Sequence, residues 1–171
     1  KIKIVRRGDI GFKDVETYIS KSPAQTKKIA KFIFTKVNSS NRIIQKPLIF
    51  IIEGELGVGK TVFVKGIGEY FGIKNIISPS FVVYYEYSVP THPKGVFFPN
   101  KLVHIDLYNI KDPEEFKYLG LEKYLKRGNL LCFEWGEKAG EIIDLLKRKG
   151  KVVYVRMRYI DEQTREVQIN E

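Results

Sequence analysis

The strongest constraint on this chain is the stretch Gly54-Glu55-Leu56-Gly57-Val58-Gly59-Lys60-Thr61, which fits the pattern G-x-x-x-x-G-K-[ST] at every fixed position. Before it runs Pro47 to Glu53, apolar and of strand length. After it, Val62 to Phe71 reads as a helix. Strand, glycine loop and helix are the context that gives the pattern physical meaning. Glycines let successive main-chain N–H groups turn inward as a concave anion site. The helix that follows adds its positive end. In that arrangement Lys60 reaches the β- and γ-phosphates of a nucleotide, and the Thr61 hydroxyl binds Mg²⁺.

A length of 171 residues predicts one domain spanning the chain, large enough for a real core. Hydrophobic content of 43% with 29% charged residues is a globular balance, which sets disorder aside. No apolar run approaches the ~18 residues of a membrane span. Residues 1–7 carry charge without the apolar core of a signal peptide, and the expected location is the cytoplasm. A single cysteine excludes an internal disulfide, and Cys132, between Leu131 and Phe133, reads as a buried apolar residue. The net charge of +10 permits an acidic partner such as RNA. The basic residues are spread along the chain, however, and Lys126-Arg127 and Lys147-Arg148-Lys149 fall where helices should end.

Asp14 to Ser20 alternates like a strand. Ser22-Pro23-Ala24-Gln25 is a helix start with Ser as cap and Gln in capping-box position, followed by an apolar stripe of Ile29, Phe32, Ile33 and Val37. Asn38 to Gln45 reads as a linker. Gly72 ends the helix after the glycine loop. Phe81 to Tyr87 is a β-branched and aromatic strand, Pro90 to Asn100 a loop, and Lys101 to Tyr108 a strand pairing with the one before. Asp112-Pro113-Glu114-Glu115 opens a short helix that Gly120 breaks. Leu130 to Glu134 is a buried-type strand, and about Ala139 to Lys149 a helix with Ile142, Ile143, Leu145 and Leu146 inward. Val152 to Tyr159 and Arg165 to Ile169 form a hairpin across Asp161-Glu162-Gln163. Residues 1–13 give no clear element. The alternation predicts a three-layer α/β fold, P-loop NTPase-like, with a mixed sheet flanked by helices, and a ligand at the carboxyl ends of the strands.

A phosphate-binding loop needs further groups to hydrolyse what it holds: an oxygen ligand for Mg²⁺, or a carboxylate that holds its waters. Two acids sit at strand ends, Asp106 and Glu134, and position alone does not rank them. Ser78 and Ser80 lie in a proline-containing loop where many P-loop proteins carry a switch over the γ-phosphate; an ordinary X-Pro turn explains them equally well. His104 reads as a packed or hydrogen-bonded strand histidine. Trp135 suits the core, or a shield beside a phosphate site. Tyr84, Tyr85 and Tyr87 read as packing, with base stacking as the other option. The N-K-x-D guanine reader is missing, which favours ATP over GTP.

In their order, these pieces resemble the TsaE (YjeE) family of small bacterial P-loop ATPases of tRNA threonylcarbamoyladenosine biosynthesis. The likeness runs from about Val15 to Tyr159. It rests on Ser22-Pro23, the glycine loop, Ser78-Pro79-Ser80-Phe81, His104-Ile105-Asp106-Leu107-Tyr108, Leu119 to Leu125, and Phe133-Glu134-Trp135. The resemblance implies that Glu55, Leu56, Gly57, Val58, Gly59, Lys60, Thr61, Val62, Ser80 and Trp135 contact ATP. It also implies that Thr61 and Glu134 serve Mg²⁺, Glu134 as an unusual Walker B acid. Lys60, Asp106 and Glu134 then support hydrolysis, slow in isolation and faster in a complex with the TsaB and TsaD transferase subunits, through which tRNA is met. Departures are Val58 for the usual Ala, Val62 for a second Thr, Ser80 for Thr, and Asn109 for the usual Arg. Two competing expectations are a P-loop kinase of a small metabolite and a basic RNA-binding module with a regulatory nucleotide site. The arginines after the glycine-loop helix form no lid-like cluster, which counts against the kinase.

Overall fold

The computed structural model describes residues 4–7, 15–39, 46–90, 99–110 and 113–171. In chain order its elements are β1 (Ile4–Arg7), β2 (Val15–Ser20), α1 (Pro23–Ser39), β3 (Leu48–Glu53), α2 (Lys60–Tyr70), β4 (Tyr84–Ser88), β5 (Lys101–Asp106) and α3 (Pro113–Tyr118). There follow a 3₁₀ turn (Leu121–Tyr124), β6 (Asn129–Glu134), a second 3₁₀ turn (Gly136–Lys138), α4 (Ile142–Lys149), β7 (Lys151–Tyr159) and β8 (Arg165–Asn170). The strands form one sheet in the order β1-β2-β8-β7-β3-β6-β5-β4. The central four, β7, β3, β6 and β5, are parallel. The strands outside them pair antiparallel. The sheet is mixed, as expected.

A parallel strand covered on both faces should be apolar throughout, and Leu48-Ile49-Phe50-Ile51-Ile52 is wholly buried. Its alternation divides the core. Leu48, Phe50 and Ile52 join Ile29, Ile33, Phe63 and Val64 of α1 and α2. Ile49 and Ile51 join Phe116, Leu121, Ile142 and Leu146 on the other face. Helices on both faces give three layers.

The start of α1 forms nearly as predicted. Gln25 N–H donates to Ser22 Oγ at 3.1 Å, and Lys21 N–H donates to Gln25 Oε1 at 2.9 Å, so the glutamine reaches back one residue further than in the usual capping box. Ile29, Ile33 and Val37 are buried, but Phe32 is 40% exposed. At ~100° of turn per residue, Phe32 falls off the side of the stripe. Ala30 and Phe34 fill the inner flank, and Phe32 lies edge-on to Tyr18, with ring centroids 6.0 Å apart. At the end of α2, Gly72 has φ +77°, with Ile73 N–H donating to Gly68 O (2.9 Å) and Gly72 N–H to Glu69 O (3.2 Å). This is the Schellman closure that a C′ glycine permits.

Several boundaries differ from expectation. Phe81 to Val83 are not strand: Val82 and Val83 N–H both donate to Pro79 O (3.0 and 2.8 Å), and this turn delays β4 to Tyr84. β5 stops at Asp106, whose side chain accepts the Tyr108 N–H at 2.8 Å and ends the ladder. The last helix begins at Ile142 rather than about Ala139, after the turn at Gly136–Lys138. Of its four predicted inward residues, Ile142 and Leu146 are buried while Ile143 and Leu145 are half-buried. Ile4–Arg7, left unassigned by pattern, forms the edge strand on β2. Asp112 of the predicted capping box, residues 40–45 of the linker and residues 91–98 of the long loop lie outside the described residues.

Candidate active site

The glycine loop joins the carboxyl end of β3 to the start of α2. Gly54 has φ +141°, and a Cβ there would sit 2.3 Å from Met157 O, so only glycine fits. Gly57 and Gly59 also take positive φ, +78° and +114°. Val58 is buried and anchors the loop from below, whereas Leu56 is 80% exposed at its crest. Glu55 is exposed. Lys60, though buried, donates from Nζ to Gly54 O at 2.6 Å and Glu55 O at 2.8 Å, and its ammonium lies 3.7 Å from the centre of the Trp135 ring. Burial lowers the Lys60 pKa, while Glu134, Glu137, Asp106 and Glu55 pull it upward. Two carbonyls and an indole face thus hold the cation without neutralising it.

Sheet register brings the acids to this loop. β6 lies beside β3 with Glu134 opposite Ile52, and β5 lies beside β6 with Asp106 opposite Glu134. Both carboxylates are therefore at adjacent strand tips, and both are buried. Thr61 Oγ1 donates to Glu134 Oε1 at 2.7 Å. The same oxygen is 2.7 Å from His104 Nε2. Ser80 Oγ donates to Asp106 Oδ2 at 2.6 Å. Asn109 Nδ2 donates to Ser80 O at 2.7 Å, and Asp106 N–H to Val83 O at 2.8 Å, so the 78–83 turn is tied twice to Asp106 and once to Asn109. Val83 sits at φ +72°, an unusual place for a β-branched residue. Phe81, at the crown of the turn, is 100% exposed.

Trp135 also takes a left-handed backbone, φ +60°. The chain turns at once after β6 and passes so close to β3 that a Cβ on Gly136 would lie 2.2 Å from Ile51 Cγ2. That turn swings the indole over Lys60 and against Tyr108, with ring centroids 4.8 Å apart. Lys60, Thr61, Asp106, Glu134, Ser80 and Trp135, separate in sequence, thus converge on one place. His104 is the packed, hydrogen-bonded strand histidine expected. Tyr84 packs edge-on against Tyr124, in keeping with the packing expectation.

One part of the site was not singled out from sequence. Beside Gly57, Val58, Gly59 and Val62 opens a pocket of about 310 Å³. Ser22, Pro23 and Thr26 of the α1 start form one wall, and Glu162, Gln163 and Arg165 of the β7–β8 hairpin form another. The Ser-Pro helix start was visible in the sequence, but nothing local said that it would face the glycine loop. Among the described residues no group of three or more His, Cys, Asp or Glu side chains could form a metal cluster. The oxygen set of Thr61, Glu134 and Asp106 suits a hard cation that keeps most of its ligands as water and phosphate.

A three-layer α/β fold with a glycine loop at the tips of parallel strands and acids on the neighbouring tips defines a protein of the P-loop NTPase class. Its architecture matches the crystal structure of Bacillus subtilis YdiB, with a TM-score of 0.58 over 99% of this chain and 86% of that one, at 22% identity. The family model "Threonylcarbamoyl adenosine biosynthesis protein TsaE" matches residues 20–167. A tRNA threonylcarbamoyladenosine biosynthesis protein TsaE from Rickettsia bellii is 38% identical over 121 residues, covering 70% of this chain and 73% of the relative. The protein of the same description from Bacillus subtilis is 33% identical over 115 residues, covering 67% and 62%. The chain belongs to the TsaE family.

Proposed function

We propose that this protein binds Mg-ATP on the glycine loop and hydrolyses it, in support of tRNA threonylcarbamoyladenosine formation by a TsaB–TsaD transferase. The observation that carries the proposal is the hydrogen bond from Thr61, the metal-binding position of the loop, to Glu134 at 2.7 Å. It links the phosphate cradle to a buried acid with no surface role.

Each residue then has a task. Main-chain N–H groups of Glu55 to Lys60 hold the β-phosphate. Lys60 exchanges its carbonyl partners for phosphate oxygens, an anion that a desolvated ammonium binds strongly. Thr61 would lend its oxygen to Mg²⁺ while its O–H still donates to Glu134. Bound magnesium supplies neutralisation of the charge that develops on the β- and γ-phosphates. Glu134 steadies the waters around that position. Asp106, released from Ser80, accepts a proton from the attacking water, whose oxygen bonds to the γ-phosphorus as the bridge to the β-phosphate breaks. Ser80 then faces the γ-phosphate, and Trp135 keeps bulk water from Lys60. The pocket lined by Ser22, Thr26 and Val62 has room for the nucleoside.

Leu56, Ile77, Phe81 and Val82 expose apolar surface. Phe81 and Val82 lie in the turn tied to Asp106, and Leu56 crowns the loop that holds Lys60. A partner covering that rim would sense the bound nucleotide, which suits a component that acts on the transferase and meets tRNA through it. A role in tRNA modification suits a cytoplasmic site of action; no helix among the described residues is long and apolar enough to cross a membrane.

Binding and turnover measured separately test this. Lys60→Ala should lose ATP binding, whereas Glu134→Gln should bind Mg-ATP near wild-type affinity and lose turnover by about 100-fold or more. Unchanged turnover in Glu134→Gln would remove its assigned role. Phosphate passed to an added metabolite rather than to water would point to a kinase.

A further inference from the structure

His104 is an interior ionisable group to which the nucleotide reading gives no task. It lies on β5 with no part reaching solvent, and it pairs in register with Cys132 of β6. Its Nε2 meets Glu134 Oε1 at 2.7 Å, while Nδ1 is buried with no hydrogen-bond partner among the described residues. A carboxylate oxygen accepts at this contact, so Nε2 is the nitrogen that carries the bonding proton. An unpaired buried nitrogen costs stability, and a leucine of similar size would avoid that cost. Among the described residues the imidazole has a single polar attachment, the acid at the tip of β6.

That oxygen has two donors. Thr61 reaches Oε1 from the start of α2 and His104 reaches it from β5. Two donors on one oxygen fix the rotation of the carboxylate, and among the described residues no hydrogen bond goes to Oε2. We propose that His104 is a positioning residue: its Nε2–H clamps Oε1 of Glu134 so that Oε2 is presented to the metal and its waters. The inference rests on the Mg-ATP reading above. Thr61 cannot serve as the sole clamp, because its oxygen has a second duty to the metal. His104 touches neither phosphate nor metal and holds Glu134 alike in the empty and the loaded protein. Partners that orient metal-associated groups typically matter by about 10- to 100-fold.

His104→Leu removes the donor and keeps much of the volume; His104→Gln keeps an N–H donor. Calorimetric ATP binding with and without magnesium, together with kcat and KM, reads the effect. The expected result is magnesium-free ATP affinity like wild type in both variants, with kcat or magnesium affinity lowered about 10- to 100-fold in His104→Leu and partly restored in His104→Gln. Wild-type values in His104→Leu overturn the inference. Equal losses in the two variants at matched melting temperature overturn it too, because simple packing would act that way. Imidazole nitrogen NMR of the unsubstituted protein adds a reading that needs no variant to fold: a protonated Nε2 is expected, and an Nε2 without a proton on His104 overturns the clamp. Failure of the wild type to bind Mg-ATP is separable, since it appears before any change at His104 and strikes the nucleotide reading itself.

Discussion

Lys60 is the residue whose surroundings say most about its ligand. Its ammonium is buried against neutral partners, and burial lowers its pKa below the ordinary 10.5. In the folded protein it therefore gives up its proton at a lower pH than in the unfolded chain. Between the lowered value and 10.5 the unfolded chain binds more protons, so this group makes stability rise with pH in that window. Binding has the opposite sign, because phosphate needs the charged form. ADP affinity measured by titration should fall as pH rises toward 10.5, at lower pH than for an ordinary lysine. Lys60→Arg, whose guanidinium keeps its proton, should show no such fall. Cys132 offers a second check. Burial raises its thiol pKa, so the thiolate is scarce. A thiol reagent should leave the native protein unmodified and label it only as it unfolds; rapid native labelling would contradict the buried placement.

At the level of elements, the glycine loop and its flanking strand and helix were legible because their pattern is local. So were the Schellman glycine, the hairpin turn and the parallel core strands. What was not legible depended on distant groups. Phe81 to Val83 look like strand by composition, yet tertiary ties from Ser80 to Asp106 and from Asn109 to Ser80 hold them as a turn. Strand ends flagged Asp106 and Glu134 equally; only the β3–β6–β5 register shows Glu134 bonded to Thr61 and Asp106 bonded to Ser80. The same holds for the α1 start beside the glycine loop. Where α1 crosses α2, a Cβ on Gly66 would lie 2.6 Å from the Lys27 backbone. Gly66→Ala should therefore lower the melting temperature, because overpacking costs ~1–3 kcal/mol and exceeds alanine's gain in helix propensity of ~1 kcal/mol. A higher melting temperature would show that the two helices can part without cost. Ser80→Ala leaves the main-chain ties in place and frees Asp106 Oδ2, so nucleotide binding should persist with altered turnover.

For the molecule as a whole, one sheet joins early and late segments: β1 pairs with β2, and β2 pairs with β8. We propose that the chain is a single folding domain, for which calorimetry should show one unfolding transition that moves upward with Mg-ATP. Two transitions would divide the chain. The central claim is that the glycine loop and two strand-tip carboxylates form one magnesium-dependent ATP site. A crystal structure with magnesium and a non-hydrolysable ATP analogue tests it most directly. Lys60 is expected on the phosphates, Thr61 on the metal, and Glu134 and Asp106 both facing the metal or its waters. Phosphates bound with both carboxylates turned away, or an analogue bound elsewhere, would contradict it.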